Sequence, residues 1–172
     1  MEDQEVGLKR MRAGEVAACV CASERPVAGA RAMLLGAMRY RALASPAFIA
    51  RHFPGGVTAQ ALAHAPAIVF GPDDLLQHRY LSKLGVEGGF AHHLCPSSEG
   101  FIRLAQAGFG WGLIPELQVQ AELARGELIE LIAGQPIDVP LYWHHWRNGG
   151  ELLNQLTQHL ASAASQCLVD PQ

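Results

Sequence analysis

The stretch from His93 to Pro115 admits few folds. It reads as the end of a strand, a helix opened by serines, and a second strand stopped by proline. Leu94 and Cys95 close the first strand, and Ser97 or Ser98 can accept a bond from the first free helical N–H groups. Phe101, Leu104, Ala105 and Gly108 follow at one-face helical spacing, and Gly108 suits the left-handed position beyond a helix end. Phe109 to Ile114 is then short and almost wholly apolar, the pattern of a strand covered on both faces. A strand feeding such a helix start sets N–H donors and the positive end of a helix dipole at the sheet's carboxyl edge. That is a seat for a carboxylate or phosphate. Serines that merely cap a structural helix give the same pattern.

The remainder of the chain repeats the alternation. A helix over Asp3 to Ala13 carries Leu8 and Met11 and stops at Gly14, and Val16 to Cys21 is a strand. Leu34 to Ala44 contains another strand, Pro46 can start a helix, and Thr58 caps Ala59 to His64. Ala67 to Phe70 is a strand broken by Gly71-Pro72, after which Asp73 or Asp74 caps a helix to about Leu84. A strand from Phe90 to Cys95 leads into the opening stretch. Glu116 to Arg125 is helical, ends at Gly126 and yields to a strand over Glu127 to Ile132. Pro136 and Pro140 bracket a loop before the strand Leu141 to Trp146, and Leu153, Leu156, Leu160, Ala164 and Cys167 form one stripe of a final helix. Strands alternating with helices of this length predict an α/β fold with mostly parallel sheets. The early strand and the late strand–helix have no lobe of their own. The economical arrangement is a first lobe of residues 1–40 and 141–172 and a second of 41–140, with a cleft between them.

With 172 residues, 49% of them hydrophobic and 17% charged, the chain can bury a core. A net charge of −3 and no clustered Lys/Arg argue against nucleic-acid binding by this polypeptide. No apolar run approaches the ~20 residues of a membrane span, and the acidic start is unlike a secretory signal, so the expected location is the cytoplasm. Cys19, Cys21, Cys95 and Cys167 fit neither CxxC nor zinc spacing and read as four reduced core cysteines. His92-His93 and His144-His145 are adjacent strand residues that point to opposite faces, which disfavours a metal. No cofactor is expected. Trp111, Trp143 and Trp146 read as packing residues, and the Gly108-Phe-Gly-Trp-Gly run is only a weak echo of a dinucleotide loop.

Several segments together resemble a known family: Glu2-Asp-Gln-Glu, Leu8-Lys-Arg-Met-Arg-Ala-Gly-Glu-Val, Phe70-Gly-Pro-Asp-Asp-Leu-Leu-Gln, Pro96-Ser-Ser-Glu-Gly-Phe, Gly108-Phe-Gly-Trp-Gly-Leu-Ile-Pro-Glu and Pro136-Ile-Asp-Val-Pro-Leu-Tyr-Trp-His-His-Trp-Arg. In this order they look like the effector-binding region of LysR-type transcriptional regulators, most similar to the lysine- and arginine-responsive ArgP/LysG group that controls basic amino-acid export. The resemblance implies a two-lobed fold like the type 2 periplasmic binding proteins, with effector between the lobes, and a homo-oligomer when full-length. Such regulators begin with a winged helix-turn-helix and a linker helix that this sequence lacks, as it lacks the first strand and helix of the first lobe. The sequence therefore reads as a fragment with an incomplete first lobe, and DNA would be reached only through the missing N-terminal domain.

A basic amino acid needs donors for its α-carboxylate and carboxylates for its cationic ends. Ser97, Ser98 and the N–H groups after them, Glu99 included, are candidates for the carboxylate. Glu2, Asp3 and Glu5 at the first helix, and Asp73 and Asp74 beyond a strand end, are candidates for an ammonium or a guanidinium. Asp3 and Asp73 would serve equally as plain helix caps. Ser45, after the strand ending at Ala44, either faces the cleft or belongs to a plain turn with Pro46. A free-standing solute-binding module is an alternative. So is a small α/β hydrolase using Ser97 or Ser98, although the turn is not G-x-S-x-G.

Overall fold

The computed structural model describes residues 6–171. They form two compact units, one of residues 40–137 and one of residues 6–39 with 138–171.

In the unit of residues 6–39 and 138–171, α1 (Val6–Arg12) buries Leu8 and Met11, one turn apart, and the chain turns away after it at Gly14 with φ 73°. It lies over β1 (Ala18–Cys21), which pairs antiparallel with β7 (Ile137–Trp146) from Ala18↔His145 to Cys21↔Tyr142. Leu8, Met11, Cys21, Val27 and Ala30 form the core here, with Val16, Cys19 and Trp146 packed against them. The middle of β2 (Ala30–Ala44) bridges Ala37 to Val169, beyond the end of α7 (Gly150–Cys167). Arg39 clamps Asp138 with two bonds, Nε at 2.9 Å and Nη2 at 2.7 Å.

In the unit of residues 40–137, the end of β2 runs antiparallel to β5 (Gly112–Pro115) on one side and to β6 (Ile129–Glu130) on the other. Trp111, just before β5, bridges in parallel to Ala67 at the start of β3 (Ala67–Val69), and β3 pairs in parallel with β4 (His92–Leu94). Leu43, Ile68, Phe101, Ala105, Ile114, Val119 and Leu128 make one core. The helices are α2 (Pro46–His52), α3 (Ala59–His64), α4 (Leu76–Lys83), α5 (Ser98–Gln106) and α6 (Gln120–Arg125).

Several expectations needed correction. The strand pairing is mixed rather than mostly parallel, because β1 runs against β7, and β5 and β6 run against β2. Pro140 lies inside β7, not in a loop. The ladder to β1 begins only at Tyr142, so the missing N–H of Pro140 costs that ladder no bond. Glu116–Gln118 is a 3-10 turn that precedes the shorter α6. The cysteines are not all core residues: Cys21 is buried, Cys19 and Cys95 are half-buried, and Cys167 is exposed. The stripe on α7 buries Leu153 and Ala164 but leaves Leu156 49% exposed.

The glycine-rich run has a packing explanation. Gly108 takes φ 78° after α5, a left-handed turn that a side chain would strain. A Cβ on Gly110 would lie 2.9 Å from the Pro66 carbonyl, and one on Gly112 would enter the ring of Phe101. These glycines let β5 approach β3 and let α5 lie flat on the sheet.

Candidate functional site

Because β3 and β4 are parallel, with Val69 opposite Leu94, they end at one edge of the sheet. The amide of Cys95 donates to the Val69 carbonyl (2.9 Å) and keeps the two exits together. One exit leads through Gly71-Pro72 to Asp73 and Asp74, the other through Pro96 to Ser97 and Ser98. Both lie within the unit of residues 40–137.

Ser97 is the N-cap of α5, in extended conformation (φ −145°), and its Oγ accepts from the Gly100 amide at 3.1 Å. Ser98 is the first helical residue, so its amide and that of Glu99 belong to the turn in which a helix supplies no acceptor of its own. Ser97, Ser98 and Glu99 are all exposed, and the Glu99 carboxylate pairs with Arg103 one turn on (2.6 Å). At the other exit, Asp74 uses both oxygens. Oδ2 accepts from the Phe70 amide (3.0 Å) and Oδ1 from the Leu76 amide (3.1 Å), which ties the end of β3 to the start of α4. Asp73 beside it is exposed, with its charge in solvent. The edge thus offers helical N–H donors at one exit and carboxylates at the other, the two kinds of group an α-amino acid with a cationic side chain requires.

Ser45 is elsewhere. Tyr40 pairs with Pro115 and Leu43 with Gly112, so β2 delivers Ser45 to the edge where β3 and β5 begin. There it is buried, caps α2 by accepting from the Phe48 amide (3.4 Å), and lies against Gly108 at the far end of α5. Nine residues of helix, about 13 Å, separate it from Ser97. Glu2, Asp3 and Glu5 lie outside the described residues.

Some polar groups of this unit carry no motif. Gln77 is fully buried, and its Nε2 donates to the Ile68 carbonyl at 2.7 Å, fixing α4 against β3. Tyr80 is fully buried against Trp111, ring centroids 5.8 Å apart, and burial pushes its phenol up to about 12. Burial, with Asp74 adding to it, pushes Tyr40 up to about 12 as well. Arg41 joins two carboxylates, Glu116 and Glu130, each at 2.8 Å. These bonds, that to Glu116 first, raise its pKa further. At the opposite edge a shallow pocket of about 350 Å³ is lined by Arg51, His52, Pro66, His93 and Ala107 to Phe109. Arg51 and His52 occupy the last turn of α2, where positive charge answers the helix dipole. Burial, and then Arg51, hold the pKa of His52 below its ordinary value. In the other unit an open, chiefly apolar groove of about 670 Å³ runs from Ala17 and Gly29 to Trp146, Leu152 and Leu156. Among the described residues no three His, Cys, Asp or Glu side chains gather as a metal site. No helix there is long and apolar enough to cross a membrane.

Parallel strand ends that bring N–H donors and carboxylates to one edge are the usual seat of a small molecule in an α/β module. The chain belongs to the LysR substrate binding domain family, which it matches over residues 1–165. It is 77% identical over 169 residues to the HTH-type transcriptional regulator ArgP of Pseudomonas aeruginosa, covering 98% of this chain and 56% of that protein. It therefore spans about half the length of the curated relatives it matches. Among solved structures, the C-terminal domains of a LysR family protein from Agrobacterium tumefaciens superpose with a TM-score of 0.93 at 42% identity, over 99% of this chain and 83% of that one. Full-length LysG of Corynebacterium glutamicum with bound effector Arg gives 0.86 at 37% identity, over 98% and 58%. These relatives are regulators, not enzymes, and the family's domain is a sensing module.

Proposed function

We propose that this chain senses a basic amino acid, arginine or lysine, as the effector-binding part of a LysR-type transcriptional regulator. The observation that carries this reading is the likeness, over nearly the whole chain, to a LysG structure holding Arg. The carboxyl edge of β3 and β4 supports it with suitable chemistry. The effector's α-carboxylate takes the amides of Ser98 and Glu99 and the hydroxyls of Ser97 and Ser98 at the positive end of α5. Asp73, with Asp74 held in place beside it, takes an ammonium or guanidinium. Glu2, Asp3 and Glu5 are further acids of the same proposal. Residues 1–40 with 141–172 and residues 41–140 act as the two lobes of the sensor. In the longer regulator the partners are operator DNA, reached through a helix-turn-helix, and further copies of the protein. It acts in the cytoplasm on genes of amino-acid export.

Calorimetry of the regulator containing this chain tests the reading. Arginine or lysine binds, argininamide binds more weakly for want of a carboxylate, and citrulline binds more weakly for want of a cation. A folded regulator that takes up neither arginine nor lysine at millimolar concentration overturns the assignment.

A further inference from the structure

Strand β1 carries two thiols that amino-acid sensing does not use. Cys19 and Cys21 are two residues apart, so both side chains leave one face of the strand. That face is covered by α1. Cys21 is buried with Leu8 and Met11, and Cys19 packs at the rim of the same cluster. Gly7 brings the helix down onto the pair, since a Cβ there would lie 3.0 Å from Cys19 Cβ and 3.2 Å from its sulfur. Across the ladder, Cys19 stands opposite His144. His144 is fully buried: its Nε2 lies 2.7 Å from the Ser23 carbonyl, which the Cys21 thiol also approaches (3.9 Å), and its Nδ1 has no partner among the described residues.

The lining is soft: two thiols on one face of β1, with the thioether of Met11 in the cluster they join. No third His, Cys, Asp or Glu among the described residues closes on the pair, so the four-ligand tetrahedron of structural zinc is not formed there. A pair of sulfurs suits a softer ion that accepts two ligands. We propose that Cys19 and Cys21 form a binding site for a soft, two-coordinate d10 cation of the Cu(I) class. The cation forms two metal–sulfur bonds, both S–H protons leave to solvent, and no oxidation state changes.

A peroxide-sensing dithiol fits the same residues less well. Peroxide attack requires a thiolate. Burial pushes Cys19 up to about 11 and raises Cys21 as well, which leaves thiolate scarce at neutral pH. Two residues of extended strand also set the Cα atoms about 6.7 Å apart, at the far limit of disulfide geometry. A coordinating metal ion removes the thiol proton itself, so burial does not protect the pair from it.

The test is anaerobic titration of the chain with Cu(I) supplied as its bicinchoninate complex, read by loss of the chelate's colour and by native mass spectrometry. One copper per chain is expected. Cys19→Ser and Cys21→Ser each weaken uptake by more than the about 10–100-fold that loss of a mere supporting contact costs. The double variant Cys95→Ser Cys167→Ser takes up copper like the unaltered chain. The proposal is overturned if the unaltered chain takes none, or if Cys19→Ser with an unchanged circular-dichroism spectrum takes as much. Should the single variants not fold, the double variant decides. One bound copper that shields both remaining thiols from alkylation supports the site, and its absence overturns it.

Discussion

At the scale of single residues, the least replaceable positions are those where a ring or a backbone lies against an absent side chain. The ring of Phe101 occupies the place a Gly112 Cβ would take. Gly112→Ala therefore lowers stability by about 1–3 kcal/mol, read as a shift of the urea midpoint without a change in slope. Shrinking the ring in Gly112→Ala Phe101→Leu recovers part of that loss. The two buried tyrosines set an alkaline limit. Their folded pKa values, about 12, lie above the ordinary value of 10, so their contribution is complete below pH 10 and is lost as pH rises towards 12. The melting temperature should fall across that window, and less steeply in Tyr80→Phe. Because the Tyr80 hydroxyl is buried without a partner among the described residues, the same variant should be at least as stable as the parent at pH 7.

At the scale of elements, two serine caps do different work. Ser97→Ala and Ser45→Ala each remove a capping oxygen and should cost about 1 kcal/mol of stability. Only Ser97 stands at the edge shared with Asp73 and Asp74. Ser97→Ala should weaken arginine binding about 10-fold by calorimetry, the size of one charge-assisted hydrogen bond, whereas Ser45→Ala leaves it unchanged. Equal effects of the two would separate the effector from the α5 terminus. The local code for these elements is readable in the chain: Pro46 at the first turn of α2, Thr58 accepting from the Ala61 amide, and Gly126 in the left-handed position after α6. Where the code misled, a distant partner decided. Pro140 reads as a strand breaker, yet β7 runs through it, at a point beyond the end of its ladder with β1 at Tyr142. Ser45 and Ser97 both follow strands, and nothing near either reveals that β2 runs against β5 and sends Ser45 to the opposite edge.

At the scale of the whole molecule, bonds between distant parts of the chain hold what local preferences cannot. Arg39 and Asp138 lie at opposite ends of a long excursion and form a half-buried, two-bond pair. Arg39→Ala should cost about 1–3 kcal/mol, because it leaves a carboxylate poorly solvated and without its clamp. The loss should appear in the fluorescence of Trp143 and Trp146, which lie in the same unit. The proposed effector would act at this scale as well. Arginine at about 100 times its dissociation constant adds about 2.7 kcal/mol. For a chain of this size that raises the melting temperature by about 5–10 °C. Leucine, with neither a cationic side chain nor a guanidinium, should leave it unchanged.

The sequence by itself determined the α/β alternation, most helix starts and stops, and the family, because each is written in short-range spacing, in capping residues, or in the order of motifs along the chain. It also showed that serines open α5 at the end of a strand. Tertiary structure alone decided the rest. The mixed direction of the sheets depends on which strands meet. The separation of Ser45 from Ser97 depends on which edge each strand points towards. The glycines of the 108–112 run answer to Phe101 and Pro66, which only folding brings near, and Asp74 becomes a tie between β3 and α4 through two amides that the chain must bend to present. Each of these is a pairing between distant residues, and a single chain carries no local mark of the partner it will meet.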